Sequence, residues 1–258
     1  MEMNSRDEKM EYGDYLVNAT GAEGQVRIYA VTSRDMAEEA RQIHGLSPTA
    51  TAALGRLLSA GVMMGSMMKG EDDILTIQIR SDGPVGGLTV TARPDGTARG
   101  YAIHPQEDVP PLRKGKLDVG GLVGRGTLSV IRDLGLKEPY TGQVSLQSGE
   151  IAQDIAYYYA VSEQVNSVVS LGVLVDPDLH VRQAGGFILQ LMPFASEEVI
   201  SLLEKNVSSL PSATTMLEEG LSPEDMIARV MSGLPFQVYD RMPVSYRCEC
   251  SRERVEQI

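Results

Sequence analysis

Residues 46–70 carry one long run of small and apolar side chains, LSPTATAALGRLLSAGVMMGSMMKG, charged only at Arg56 and Lys69. Its most apolar part, residues 57–68, is too short to cross a bilayer, which takes about 20 apolar residues. The run must therefore be wrapped by other parts of its own chain. Ser47 is a good N-cap and Pro48 suits a first helical position, so a helix is predicted from there to about Lys69. Its apolar stripe runs Ala50, Leu54, Leu57/Leu58, Gly61, Met64/Gly65, Met68, and Gly61-x-x-x-Gly65 lets another element come close. Met63, Met64, Met67 and Met68 could form an adaptable binding surface. Apolar stripes of this kind are far more often core, and core is the favoured reading.

What surrounds that helix reads as antiparallel sheet. Residues 25–31 alternate like a strand, and Thr32 with Asp35 resembles a capping box for a helix that Gly45 stops after His44. Residues 74–103 read as a three-strand meander, turned at Asp82-Gly83-Pro84 and at Pro94-Asp95-Gly96. Residues 104–116 form a loop. Residues 127–132 and 142–146 make a second hairpin, residues 149–164 a helix, and 168–175 with 180–191 a strand pair about Asp176-Pro177-Asp178. Beyond Pro193 come short helices with polar joints at 196–206, 214–219 and 222–232. The fold class is α+β, a mainly antiparallel sheet core with packed helices.

Composition narrows the function classes. A net charge of −12 opposes binding to nucleic acid or to anionic lipid. Two cysteines are no disulfide framework, and the charged N-terminal residues are no signal peptide, so a soluble protein of the reducing cytoplasm is expected.

Both cysteines lie in one cluster, Cys248-Glu249-Cys250. Two thiols at this spacing can share a metal, cycle as a dithiol or stand as incidental surface groups, and two alone cannot complete a tetrahedral zinc site. Arg247, Arg252 and Arg254 favour thiolate. The glycines of residues 118–126 lack the Lys-Ser/Thr of a P-loop and the spacing of a dinucleotide fingerprint, and they read as turns. His44, His104 and His180 form no catalytic or metal-binding pair, and the acidic pairs Glu38/Glu39, Glu197/Glu198 and Glu218/Glu219 read as solvated helix faces. No catalytic set assembles, which argues against an enzyme. The alternative is a thiol–disulfide oxidoreductase using the Cys248/Cys250 dithiol, though no thioredoxin-like βαβ pattern surrounds the pair.

Several blocks resemble the 33 kDa heat-shock chaperonin family of redox-regulated holdases: residues 46–70, ARGYAI (98–103), GRGTLSVIRDLGLKEPYTGQVSL (124–146), SGEIAQDIAYYYAVSEQ (148–164), QAGGFILQLMP (183–193) and YRCECSRERVE (246–256). The resemblance implies an α+β core over residues 1–195, a helical linker region over 196–245 and the start of a C-terminal zinc and redox module at 246–258. It implies an ATP-independent chaperone, commonly dimeric, that holds unfolding proteins under oxidative and heat stress. In the family, a Cys-x-Cys and a later Cys-x-x-Cys hold zinc when reduced, and oxidation to disulfides expels the metal and frees the linker. Cys248 and Cys250 match the first pair, two of four expected ligands and one expected redox disulfide. No Cys-x-x-Cys follows among the 258 residues, so the expectation here is a module lacking its second half and a weakened switch.

Overall fold

The computed structural model describes residues 13–248. Two sheets are formed. The first has five strands in the order β10-β1-β2-β9-β8, and the second six in the order β11-β5-β4-β3-β6-β7. In chain order the strands are β1 (Tyr15–Gly21), β2 (Val26–Thr32), β3 (Ile74–Ser81), β4 (Gly87–Ala92), β5 (Thr97–Ala102), β6 (Gly126–Asp133), β7 (Tyr140–Ser145), β8 (Ser167–Val175), β9 (Val181–Leu191), β10 (Phe236–Pro243) and β11 (Ser245–Tyr246). All pairings are antiparallel except β11 on β5. The helices are α1 (Arg34–His44), α2 (Pro48–Gly65), α3 (Val119–Val123), α4 (Ala152–Tyr158), α5 (Glu197–Ser209), α6 (Ala213–Glu218) and α7 (Pro223–Val230). No described helix is long and apolar enough to cross a membrane.

Helix α2 is the centre of the molecule, and the apolar run dictated that. Ser47 caps it, its hydroxyl accepting from Ala50 N at 3.1 Å. It lies between the two sheets and is buried on all sides. A Cβ on Gly61 would stand 2.7 Å from Val90 Cγ1 of β4, so glycine there sets how closely helix and sheet approach. The one charge inside the helix, Arg56, reaches Glu150 at 2.7 Å. The helix ends at Gly65, short of Lys69: Met63 and Met64 are buried as core, while Met67 and Met68 lie half-buried beyond its end.

The first sheet is covered on both faces. On β1, Tyr15, Val17 and Ala19 face outward and Leu16 faces α2; on β2, Val26, Ile28 and Ala30 face outward while Tyr29 and Val31 face α2. Strand β9 follows, with Phe187 and Leu189 out and Ala184 and Ile188 in. Strands apolar on both faces need a layer on each side. Helices α1 and α2 provide one, and α5–α7 the other. The layers therefore run second sheet, α1/α2, first sheet, α5–α7.

Several local readings change. Thr32 and Asp35 form no capping box, because Thr32 ends β2 and the Ser33 hydroxyl bonds Ser59 at 2.7 Å. The cap comes from outside, Asp14 Oδ2 accepting from Met36 N at 2.8 Å. Glu38 is no solvated acid: it pairs with Arg41, accepts from Val181 N at 2.9 Å and meets His180 at 3.0 Å. Arg41 beside it, with those other donors, holds its carboxyl well below the usual range. Residues 118–126 include the short helix α3 as well as turns. Residues 236–243, where no element was predicted, are a strand paired with β1.

Candidate functional site

Two features stand apart from ordinary core. The first is the covering of the outer sheet face. Each covering helix starts on its own serine: Ser196 accepts from Val199 N at 3.4 Å, Ser212 from Thr215 N at 3.2 Å, and Ser222 from Asp225 N at 3.2 Å. Asp225 accepts from Ser222 N at 2.8 Å, completing a capping box. The helices number 13, 6 and 8 residues. Pieces this short do not persist in water by themselves, so packing must hold them. Leu203, Met216, Leu217, Met226, Ile227 and Val230 bury against Val17, Ile28, Phe187 and Leu189.

Polar fixings on this layer are few and lie at its edges. Asn206 on α5 donates to the carbonyls of Val230 and Ser232 at 3.0 and 2.7 Å, tying α5 to the end of α7. Glu224 at the start of α7 accepts from the Tyr15 hydroxyl at 2.9 Å and from Arg241 Nε at 2.6 Å, fastening the helix to β1 and β10. Burial, with the Glu224 charge beside it, pushes the Tyr15 hydroxyl well above its ordinary pKa. Glu218 pairs with Arg182 and Glu219 with Arg229. An open surface cleft of about 800 Å³ lies among the three helices, lined by polar residues such as Asn206, Glu219 and Arg229 together with Leu210 and Leu221. The layer is apolar underneath and creased by this cleft on its outer side.

The second feature is the end of the described chain. Strand β11 and the residue after it run along β5: Ser245 N donates to Gly96 O at 3.2 Å and Arg247 N to Ala98 O at 2.8 Å. Tyr246 is the anchor. Its ring is buried, its hydroxyl donates to Gly100 O at 2.9 Å, and His44 Nε2 lies 2.9 Å from the Tyr246 hydroxyl oxygen. With the hydroxyl proton committed to Gly100, the histidine proton belongs on Nε2. Cys248 follows two residues later and is exposed. Arg93, Arg99 and Arg247 line a small cleft at this end of the sheet, a field of the sign that favours anions. Cys250 lies outside the described residues, as do Arg252 and Arg254.

The predicted candidates do not converge on one centre. His44 braces Tyr246, His180 pairs with Glu38, and His104 sits in the turn beside Gly86. Among the described residues no three His, Cys, Asp or Glu side chains are grouped to hold a metal. The described donor set therefore does not fit a complete zinc site. Asn206, Glu224 and Tyr246 were missed by sequence reasoning because each acts across a long stretch of chain, and no local pattern marks them.

A model of the Hsp33 protein family matches residues 14–258. The chain belongs to that family. The 33 kDa chaperonin of Agathobacter rectalis is 52% identical over 242 residues, covering 94% of this chain and 84% of that protein. The 33 kDa chaperonin of Acetivibrio thermocellus is 47% identical over 243 residues, covering 94% and 82%. The crystal structure of the Thermotoga maritima 33 kDa chaperonin (heat shock protein 33 homolog) superposes with a TM-score of 0.89 at 38% identity, over 94% of this chain and 83% of that one. The α+β architecture of two antiparallel-dominated sheets is thus that of Hsp33, and the protein is an Hsp33-type chaperone.

Proposed function

We propose that this Hsp33 chain is an ATP-independent holdase whose client-binding surface is hidden beneath α5–α7 and exposed when thiol oxidation loosens that layer. The carrying observation is the outer sheet face. It is apolar from Val17 to Leu189, yet among the described residues its cover is three short helices. Each fully buried aliphatic side chain contributes about 1.5–3 kcal/mol, so the face is sticky once bared. Segments of unfolding proteins that expose apolar residues are the partners of matching chemistry. A surface with this chain's negative charge keeps such complexes soluble.

The sensor in this reading is the dithiol Cys248/Cys250. Two thiols give two electrons and two protons to an oxidant such as a peroxide, which leaves as water, and a disulfide joins the sulfurs. Cys248 stands two residues beyond the Tyr246 anchor, on the chain that returns from α7 through β10, so strain there bears on the end of the covering layer. Zinc belongs to the same proposal as the partner of the reduced thiolates, Cys248 and Cys250 being two of the four that such an ion takes. The described residues do not make up that site by themselves. Division into core (1–195), linker region (196–245) and redox module (246–258), a homodimeric assembly, a cytoplasmic location and the absence of a nucleic-acid or membrane partner complete the reading.

The test is suppression of client aggregation at mild heat, with hydrogen exchange followed in parallel. Peroxide-treated protein is expected to protect a heat-denatured client and to exchange faster over 197–230, and Cys248→Ser to blunt both. Equal protection and equal exchange in reduced and oxidised samples would sink the redox reading.

A further inference from the structure

Beyond the chaperone surface, a separate cavity of about 390 Å³ lies where the end of α2 meets β2, β6 and β9. Its apolar wall is made of Met64, Met67, Met68 and Leu134, and its polar floor holds Arg27 and Gln190. Gln190 is 1% exposed and accepts from Arg27 Nη2 at 3.1 Å. Arg27 Nε is buried with no hydrogen-bond partner, and no carboxylate pairs with this guanidinium among the described residues. That is unusual in a chain that carries 35 acids against 23 bases. Arg27 as a whole is half-buried, and a cation partly withdrawn from water is normally paired, because desolvating a charge without a counterion is costly. Of the other charges lining the cavity, Arg132 and Glu163 pair at 3.0 Å, and Asp73 accepts from Gly70 N at 2.8 Å while keeping its negative charge. Lys69 at the rim adds a second positive charge.

We infer that this cavity binds a small amphipathic carboxylate, its anionic head on Arg27 and its aliphatic body against the methionines. With Nε enclosed and Nη2 bound to Gln190, the guanidinium meets a carboxylate through its remaining donors, in a charge-assisted contact. Thioether side chains adapt to an aliphatic chain without demanding one shape. The volume lies in the range of small-molecule sites and suits a body of about a dozen non-hydrogen atoms. The cavity is open while α5–α7 stay docked, whereas a surface for unfolded clients has to be hidden at rest. A small molecule is therefore the occupant the structure favours over a client segment. A second hollow shares Arg27 and Val165 with the first and reaches Ala195 and Ile200, at the start of α5. Occupancy is thereby placed next to the first covering helix.

The test uses the full chain, reduced, with decanoate as the probe below its micelle concentration. Calorimetry is expected to give saturable binding with a dissociation constant on the order of 0.1 mM. Methyl decanoate and acetate, lacking the head or the body, should bind at least about tenfold more weakly. The ε-methyl NMR signals of Met67 and Met68 should move during the titration while those of Met216 and Met226 stay put, a readout that needs no variant. Arg27→Gln should weaken binding about tenfold or more, with Arg27→Lys between the two. No saturable binding to the unmodified chain would overturn the inference. So would shifts confined to Met216 and Met226, or capture of an acidic apolar peptide at the cavity with no binding of decanoate. Because the assay involves neither oxidant nor client, its failure leaves the thiol reading standing, and the converse also holds.

Discussion

If α5–α7 act as a cover, loosening them from beneath should switch the protein on without any oxidant. Ile227 is the place to do it. It is fully buried on the inner side of α7, within the cluster that joins this helix to β1, β2 and β9. Ile227→Ala removes three carbons from a packed site, which costs about 2–5 kcal/mol. Docking of short helices that pack through one apolar face falls at the low end of local stabilities, a few kcal/mol. With docking favoured by about 4 kcal/mol and a loss of about 3, the undocked share rises from about 0.1% to about 15%. The reduced variant should then suppress aggregation of a heat-denatured client where the reduced parent does not, and amides in 197–230 should exchange about a hundredfold faster. The control is Leu57→Ala, in the centre of α2 and also fully buried. It costs the molecule a similar energy but leaves the cover in place. Equal client protection by the two variants would mean that general destabilisation, not uncovering, makes the surface. Faster exchange in Ile227→Ala with no protection would mean that the bared face does not bind clients. Either result refutes the reasoning.

Two further outcomes follow from single side chains. Tyr246→Phe loses the hydrogen bond to Gly100 O and leaves His44 without that partner, at a cost of about 1–3 kcal/mol. The loss should be local, so a thiol reagent should modify Cys248 faster while thermal unfolding of the core barely moves. Unchanged Cys248 reactivity would show that the anchor does not govern the thiol segment. Asp14 gives a pH signature: burial pushes its carboxyl up to about 6, against a lowering by the Met36 N–H it caps and a further raising by Asp35. The folded chain thus holds this proton more tightly than the unfolded chain does. The stability it confers is full below about pH 4 and is lost as pH rises through about 6, a swing on the order of 3 kcal/mol. Asp14→Asn keeps the capping oxygen and removes the titration. Its melting temperature should match the parent near pH 4 and exceed it above pH 6, and a constant offset across that range would contradict the assignment.

How much of this was legible depended on whether the decisive contact is local. The apolar run at 46–70 reads correctly as a wrapped core helix because its cap, its proline and its two close-approach glycines all lie within it. The meander at 74–103 and the strand pair around Asp176 likewise carry their turn residues between their own strands. Long-range partners leave no such trace. Thr32 and Asp35 have the spacing of a capping box, yet Asp14 supplies the cap, since Ser33 is drawn instead to Ser59 on α2. Glu38 looks like half of a solvated acidic pair until the fold brings His180 and Val181 onto it. Residues 236–243 are the plainest case. Strand β10 is an edge strand whose side chains are mostly exposed, so its sequence lacks the in-out alternation that marks a strand, and pairing with β1 alone fixes it.

That edge strand also bears on how the candidate site works. Strand β10 follows α7 and precedes Tyr246, so the chain between the cover and the cysteines is itself hydrogen-bonded to β1. A disturbance that starts at Cys248 meets the Tyr246 anchor first, then β10, and only then the Arg241–Glu224 contact that holds α7. In the proposed reading, release of the cover requires these contacts to fail in turn, the Tyr246 anchor being the one that packs on the core around α2. The larger of the two buried apolar clusters is that core, where Leu54, Leu57 and Leu58 are inaccessible to solvent. If the cover is released in this way, the inner strands of both sheets and α2 can stay folded, and a holdase that survives the conditions unfolding its clients needs that separation.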